Sequence, residues 1–249
     1  MAPPMSAASL LTVLKDEGLH VVQVGNWRTH NRAGHGAWGP VHGVMIHHTV
    51  TSGTDATVRI CYDGYASLPG PPCHGVIAKN GWVYLVGCGH ANHAGRGDRD
   101  VLNAVIAETP LPPDNETDTD GNVHFYGFEC ENRGDGKDPW PAVQLEAVEA
   151  AAAAICRFHH WNERSVIGHR EWQPGKVDPL GFTMDAMRAR IAERLAPLRT
   201  YRVRPGDTLS SIAAELLGSL SRWPEIARLN GLEDADVIRV GQVLKIPQR

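Results

Sequence analysis

Between about residues 20 and 180, short apolar runs alternate with loops rich in glycine and proline, and one long helix-forming segment stands among them. Strands this short bury their apolar side chains only when gathered into a sheet and covered by helices. The pattern therefore predicts a mixed α/β (α+β) fold, a central mixed β-sheet flanked by helices. The strand candidates are residues 43–49, 75–86 and 126–132. Within the second, Asn80-Gly81 separates Val76-Ile77 from Val83-Tyr84-Leu85, which predicts a two-residue hairpin turn with both turn residues at positive φ. Helices are predicted over 6–17, over 141–160 with Pro141 in the first turn and an alanine-rich centre, and over 182–195. In the last, Met184, Met187, Ile191 and Leu195 have the spacing of a buried stripe.

Pro197 closes this part, and from Tyr201 the texture changes. The boundary falls at about residues 196–200, giving domains 1–198 and 199–249, joined by a tether too short for free reorientation. The second part reads strand, helix, helix, strand. Asp207 or Thr208 is placed to cap its first helix. The second helix starts near Trp223 and stops near Asn230-Gly231, and Pro247 ends the last strand. Leu209, Ile212, Ile226, Leu229, Val243 and Ile246 are its expected small core.

With 42% apolar and 21% charged residues, the chain has the composition of a globular protein. A net charge of −4 without a basic run excludes a nucleic-acid partner, because phosphate neutralisation needs a concentrated basic face. No stretch approaches the roughly 20 apolar residues of a membrane span, so no membrane partner is expected. Residues 1–20 lack a basic region and are broken by Lys15-Asp16-Glu17, so they do not read as a signal peptide, and synthesis in the cytoplasm is expected. Five cysteines, an odd number with no C-x-x-C pair, argue against a disulfide framework or a cysteine zinc site. The acidic loop 114–121 lacks the twelfth-position glutamate of a calcium loop and reads as solvated; Arg96-Gly97-Asp98 carries no adhesion reading either. Thirteen histidines are the unusual feature, since histidine serves metals and proton transfer near neutral pH.

Three segments gather the chemistry. In Val44-Met45-Ile46-His47-His48-Thr49-Val50, strand alternation sends His47 and His48 to opposite faces, so only one of the two can look into a given pocket. After the long helix, His169 is followed by Lys176 and Asp178 across a turn marked by Pro174-Gly175. Folding back, that loop would put the Asp178 carboxylate beside the His169 imidazole; with a histidine of the first segment, this makes three ligands with a fourth position open, as catalytic zinc requires. In Gly127-Phe128-Glu129-Cys130-Glu131-Asn132, alternation places Glu129 and Glu131 on one face, about 7 Å apart, with Cys130 opposite. Either carboxylate is a general-base candidate.

Ile46-His47-His48-Thr49, then Gly127-Phe128-Glu129-Cys130-Glu131-Asn132, then Gly168-His169-Arg170-Glu171 with Pro174-Gly175-Lys176-Val177-Asp178-Pro179 together resemble the type 2 amidases. That family includes phage lysozyme-type amidases and peptidoglycan-recognition proteins, and the resemblance covers roughly residues 20–195. It implies zinc in a surface groove, held by His47, His169 and Asp178, with Glu129 as the catalytic glutamate and Lys176 as the oxyanion-stabilising lysine. It also implies substrate contacts at His74, at Asn132 and at His93 of His93-Ala94-Gly95. Many relatives carry a tyrosine where this chain has Cys73, so an aromatic hydroxyl role does not transfer. The implied reaction cuts the amide between the lactyl group of N-acetylmuramic acid and L-alanine. A non-catalytic wall receptor on the same scaffold is disfavoured by Asp178, which such receptors typically lose; a zinc peptidase acting within the stem peptide is the other alternative.

Residues 201–247 resemble the LysM domain through Tyr201-Arg202-Val203 and Gly206-Asp207-Thr208-Leu209, and through the closing Gly241-Gln242-Val243-Leu244-Lys245-Ile246-Pro247. That implies a glycan ligand containing N-acetylglucosamine, bound around Gly206, Asp207, Thr208 and Leu209 and around residues 230–238. The two resemblances together imply a monomeric wall hydrolase that fits a phage endolysin, acting on peptidoglycan after release from the cytoplasm.

Overall fold

The computed structural model describes residues 2–66, 68–232, 234 and 236–247. They form two compact units, Met1–Leu195 and Ala196–Arg249.

The first unit is built on a six-stranded sheet. Its strands are β1 (Val21–Gln23), β2 (Gly43–His48), β3 (Gly75–Ile77), β4 (Val83–Leu85), β5 (Phe125–Cys130) and β6 (Val166–Gly168). They lie in the order β1-β4-β3-β5-β2-β6, and every neighbouring pair is parallel except β3 with β4. The helices are α1 (Ala7–Asp16), α2 (Thr54–Asp63), α3 (Arg99–Ala107), α4 (Ala142–His159) and α5 (Met184–Leu195). Ser6 caps α1, its hydroxyl accepting from Ser9 N.

The two faces of the sheet divide by residue parity. Val44 and Ile46 of β2, and Tyr126, Phe128 and Cys130 of β5, pack against Leu10 and Leu14 of α1, Ala147, Val148 and residues 151–156 of α4, and Met184, Met187 and Ile191 of α5. The alanines of α4 bring its backbone close to the sheet. Met45, Phe125 and Ile167 turn the other way, onto Val101, Leu102 and Val105 of α3 and onto Trp172. Val76 of β3 shares that second face with Cys61 of α2. Parity therefore assigns His47 and Glu129 to the α2–α3 face, and His48 to the face sealed by α4.

Two local expectations are corrected. The β3–β4 connection is a turn over residues 78–81, closed by Gly81 N donating to Ala78 O; only Gly81 has positive φ, at 80°. Asn80 instead uses its side-chain oxygen to accept from Trp82 N, and Lys79 N turns to the Glu131 carboxylate. Pro141 stands at the N-cap of α4, one position before its first turn. The acidic loop is solvated as expected, with residues 115–118 exposed, while its backbone is held by Asp98, buried at the N-cap of α3, which accepts from the backbone of Asp100, Val101, Asn115 and Glu116.

The second unit pairs β7 (Arg199–Arg202) antiparallel with β8 (Val243–Ile246) and carries α6 (Leu209–Leu217) and α7 (Trp223–Leu229) between them. Its core holds Tyr201, Val203, Leu209, Ile212, Ala213, Leu217, Ile226, Ala227, Leu244 and Ile246. Val243, expected in that core, is exposed; β8 alternates outward and inward, and Leu244 and Ile246 take the inner places.

Candidate metal centre

The C-terminal ends of β2 and β6 deliver two histidines to one point. His47 is the fifth residue of β2, and His169 follows β6 directly, opening a single helical turn over His169–Glu171. That turn is held by Glu171, whose carboxylate accepts from Gly168 N and forms a two-pronged pair with Arg188 of α5 at 2.9 Å. The chain then loops back through Pro174 and Gly175, and Arg170 N donates to Asp178 O at 2.7 Å. Asp178 thereby returns beside His169.

The three ligand atoms face one another. His47 Nδ1 lies 3.1 Å from His169 Nδ1 and 3.1 Å from Asp178 Oδ2, and His169 Nδ1 lies 3.2 Å from the same oxygen. Ligands at the usual zinc distances, arranged as a tetrahedron, stand about 3.3 Å apart, so a zinc ion fits this triad. All three residues are buried. Among the described residues this is the one group of three with metal-ligand chemistry and geometry.

The outer nitrogens of both imidazoles are engaged elsewhere. His47 Nε2 lies 3.1 Å from His93 Nδ1, and His169 Nε2 lies 3.2 Å from Gln173 Oε1. If those outer nitrogens carry the ring protons, two imidazole lone pairs and a carboxylate oxygen point at one another with no proton between them. Such an arrangement is repulsive without a cation. Burial lowers the pKa of His47 to about 4, against the opposing pull of Asp178. Burial opposes ionisation of Asp178, but His169 and His47 more than offset it and hold that carboxyl well below the usual range.

Glu129 sits beside the triad, as the register partner of His47 on the neighbouring strand β5. Its Oε2 is buried and has no hydrogen-bond partner. Burial, with the Asp178 charge adding to it, pushes this carboxyl up to about 8. Glu131, the other candidate, is used by the fold: its carboxylate accepts from Gly53 N and Thr54 Oγ1 at the start of α2 and from Lys79 N in the β3–β4 turn. Lys176 is exposed on the return loop, and its charge acts on both His47 and Glu129.

The remaining expected contacts are divided. His93 reaches the triad through His47. His74 is fully buried one ring further in, its Nδ1 accepting from Gly127 N and its Nε2 donating to Gly89 O, both at 2.9 Å. Asn132 is 1% exposed, and its amide is spent on Asp138 O and Gly134 N, closing the loop after β5. Neither His74 nor Asn132 has a polar atom left for a substrate. His48 is structural too: Leu180 N donates to its Nδ1. Gln173 and Asn122 were not anticipated; Asn122 Oδ1 accepts from His93 N, Ala94 N and Gly95 N, and so fixes the loop that carries His93.

In the second unit, Thr208 rather than Asp207 caps α6, accepting from Ser211 N at 3.1 Å. Asp207 accepts from Arg204 N and from the Tyr201 hydroxyl, and Leu209 is a core residue. Of the four residues expected to meet a glycan there, only Gly206 is exposed and uncommitted; residues 233 and 235 of the opposite loop lie outside those described.

The sequence model of the family described as N-acetylmuramoyl-L-alanine amidase matches residues 37–181, a span that contains every residue of the triad and Glu129. The chain belongs to the N-acetylmuramoyl-L-alanine amidase family. A LysM domain matches residues 201–247. Among similar proteins, the amidase XlyB of Bacillus subtilis is 27% identical over 195 residues, covering 69% of this chain and 58% of its own length. The amidase XlyA of the same organism is 34% identical over 130 residues, covering 50% of this chain and 39% of its own. Esterase Rv1288 of Mycobacterium tuberculosis is 54% identical over 46 residues, 18% of this chain and 10% of that protein. The chain spans less than two thirds of the length of each of these relatives. The solved catalytic domain of XlyA superimposes with a TM-score of 0.46 at 19% identity, over 70% of this chain and 99% of that domain.

Proposed function

We propose that the chain is a zinc-dependent peptidoglycan hydrolase that cuts the amide between the lactyl group of N-acetylmuramic acid and L-alanine. The observation that carries this reading is the buried triad of His47, His169 and Asp178, whose ligand atoms converge within 4.8 Å beside a glutamate with an unpartnered oxygen. When bound there, zinc would polarise the scissile carbonyl and lower the pKa of the attacking water.

The chain's own groups supply the rest. Glu129 takes the proton of the attacking water on its free Oε2 and returns one to the departing L-alanine amine, a task suited to a carboxyl whose pKa is raised toward neutrality. Lys176, two residues before Asp178, brings positive charge to the oxyanion that develops on the carbonyl oxygen. The LysM unit binds a glycan containing N-acetylglucosamine and holds the enzyme on an insoluble polymer, which raises the local concentration of cleavable bonds. A wall hydrolase with its own wall anchor suits the lysis step of a phage endolysin, acting as a monomer on the host wall after release.

Purified protein is incubated with peptidoglycan, with and without a chelator, and the released fragments are weighed by mass spectrometry. Free L-alanine amines appearing only with metal present are expected. Fragments that still join muramic acid to L-alanine, or hydrolysis indifferent to the chelator, would overturn the reading.

A further inference from the structure

The carbonyl of Phe125 can only accept a hydrogen bond, so His93 Nε2, 3.1 Å from it, carries the ring proton. A neutral imidazole protonated there offers its lone pair at Nδ1, and that atom stands 3.1 Å from His47 Nε2. His47 Nε2 is therefore the donor, and the lone pair of His47 falls on Nδ1, the atom that faces His169 and Asp178. One backbone oxygen thus sets, through two rings, which nitrogen the first ligand presents.

We propose that His93 is a positioning residue for the metal ligand His47 rather than a substrate contact, on the reading that His47, His169 and Asp178 hold zinc. Three further observations support this. His93 is 7% exposed and both of its ring nitrogens are committed inside the protein, so no donor or acceptor remains for a sugar or peptide. Its ring lies flat on β5 at Gly127, where a Cβ would come within 2.5 Å of His93 Cγ; only glycine leaves that space. Its backbone is gripped by the single oxygen of Asn122, which accepts from three successive N–H groups. Asn122 fixes the backbone that carries the imidazole, the Phe125 carbonyl holds its Nε2 and Gly127 lies against its face, so the ring's remaining nitrogen is spent on His47. Partners of this kind fix ligand orientation, and losing one weakens metal binding by about 10- to 100-fold.

The test is zinc affinity by competition with a chromophoric chelator, together with the visible spectrum of the cobalt(II)-loaded protein, in the full chain. His93→Leu keeps bulk but removes the acceptor; His93→Asn keeps an oxygen near the place of Nδ1. His93→Leu is expected to bind zinc about 10- to 100-fold more weakly with altered cobalt bands, and His93→Asn to recover most of the loss. At saturating zinc, the KM of His93→Asn for peptidoglycan should equal that of the wild type. Wild-type affinity and spectrum in His93→Leu, or a raised KM with undiminished zinc binding, would overturn the positioning role. If His93→Leu does not fold, Gly127→Ala makes the same comparison with His93 present: weakened zinc binding supports the role, unchanged binding refutes it. Failure of the wild-type chain itself to bind zinc would instead overturn the zinc reading beneath it.

Discussion

His47 and Glu129 are register partners on two adjacent parallel strands in the interior of the sheet. One hydrogen-bond ladder therefore sets the spacing between a candidate metal ligand and the carboxylate that would move protons, and both residues lie within strands.

If the triad holds zinc, Glu129 should be removable without loss of the metal. Glu129→Gln should retain stoichiometric zinc by elemental analysis while kcat on peptidoglycan falls about 10²- to 10⁴-fold, the usual worth of a general acid–base. Full activity in this variant would show that another group handles the proton.

Asp178→Asn should behave in the opposite way. Replacing the carboxylate removes the negative charge opposite the two imidazoles, so zinc binding weakens first and activity is partly restored by excess metal. Isothermal titration at pH 7 and again near pH 4 reads this directly, with affinity falling at the lower pH because His47, whose pKa is about 4, must be deprotonated to bind. Equal affinities for wild type and variant would remove Asp178 from the ligand set.

The metal-free chain should lose stability in mild acid through His74. Burial lowers its pKa from 6.5 to about 4, outweighing the backbone hydrogen bonds that raise it. Between those values the unfolded chain binds the proton and the folded one does not. The contribution is whole above pH 6.5, declines as pH falls to about 4 and is constant below, with a slope of about 1.4 kcal/mol per pH unit for this group. Urea midpoints of the apo protein across that range should fall with pH, and His74→Asn should flatten the dependence; parallel curves for the two proteins would mean that His74 does not titrate as its burial requires.

Thr208→Ala removes the cap of α6 and should destabilise the second unit by about 1 kcal/mol. Wall binding measured by co-sedimentation should survive below the lowered melting temperature. A complete loss of binding in a folded variant would mark Thr208 as a glycan contact and not merely a cap.

Much of the sheet was legible because parity is local. Alternation alone separated His47 from His48, and the sheet adds the reason for the choice: Val44, Ile46 and His48 face α4, whereas Met45 and His47 share the other side. The ambiguity between Glu129 and Glu131 could not be resolved from the strand, because what distinguishes them is the start of α2, more than seventy residues away in sequence. The same holds for His74, His93 and Asn132. Each lies in a motif segment, but whether its polar atoms point at a ligand or at Gly127, His47 or Asp138 depends on long-range contacts. Asn122 and Gln173 carried no signal of their own, since an asparagine in a turn and a glutamine before a proline are ordinary. The Asn80-Gly81 turn and the inward placing of Val243 failed for a simpler reason: the former is shaped by side-chain competition for Trp82 N, and in the latter Val243 and Ile246 have opposite parity on one strand, so only Ile246, with Leu244, can face the core.

The return loop from His169 to Asp178 has a kinetic consequence. Two of three ligand atoms and Lys176 ride on one ten-residue segment pinned by Arg170 N to Asp178 O. If the triad holds a metal, its release would require that segment to swing away, so the residence time of the metal and the opening rate of the loop should agree, one read by metal exchange at the triad and the other by hydrogen exchange at Arg170.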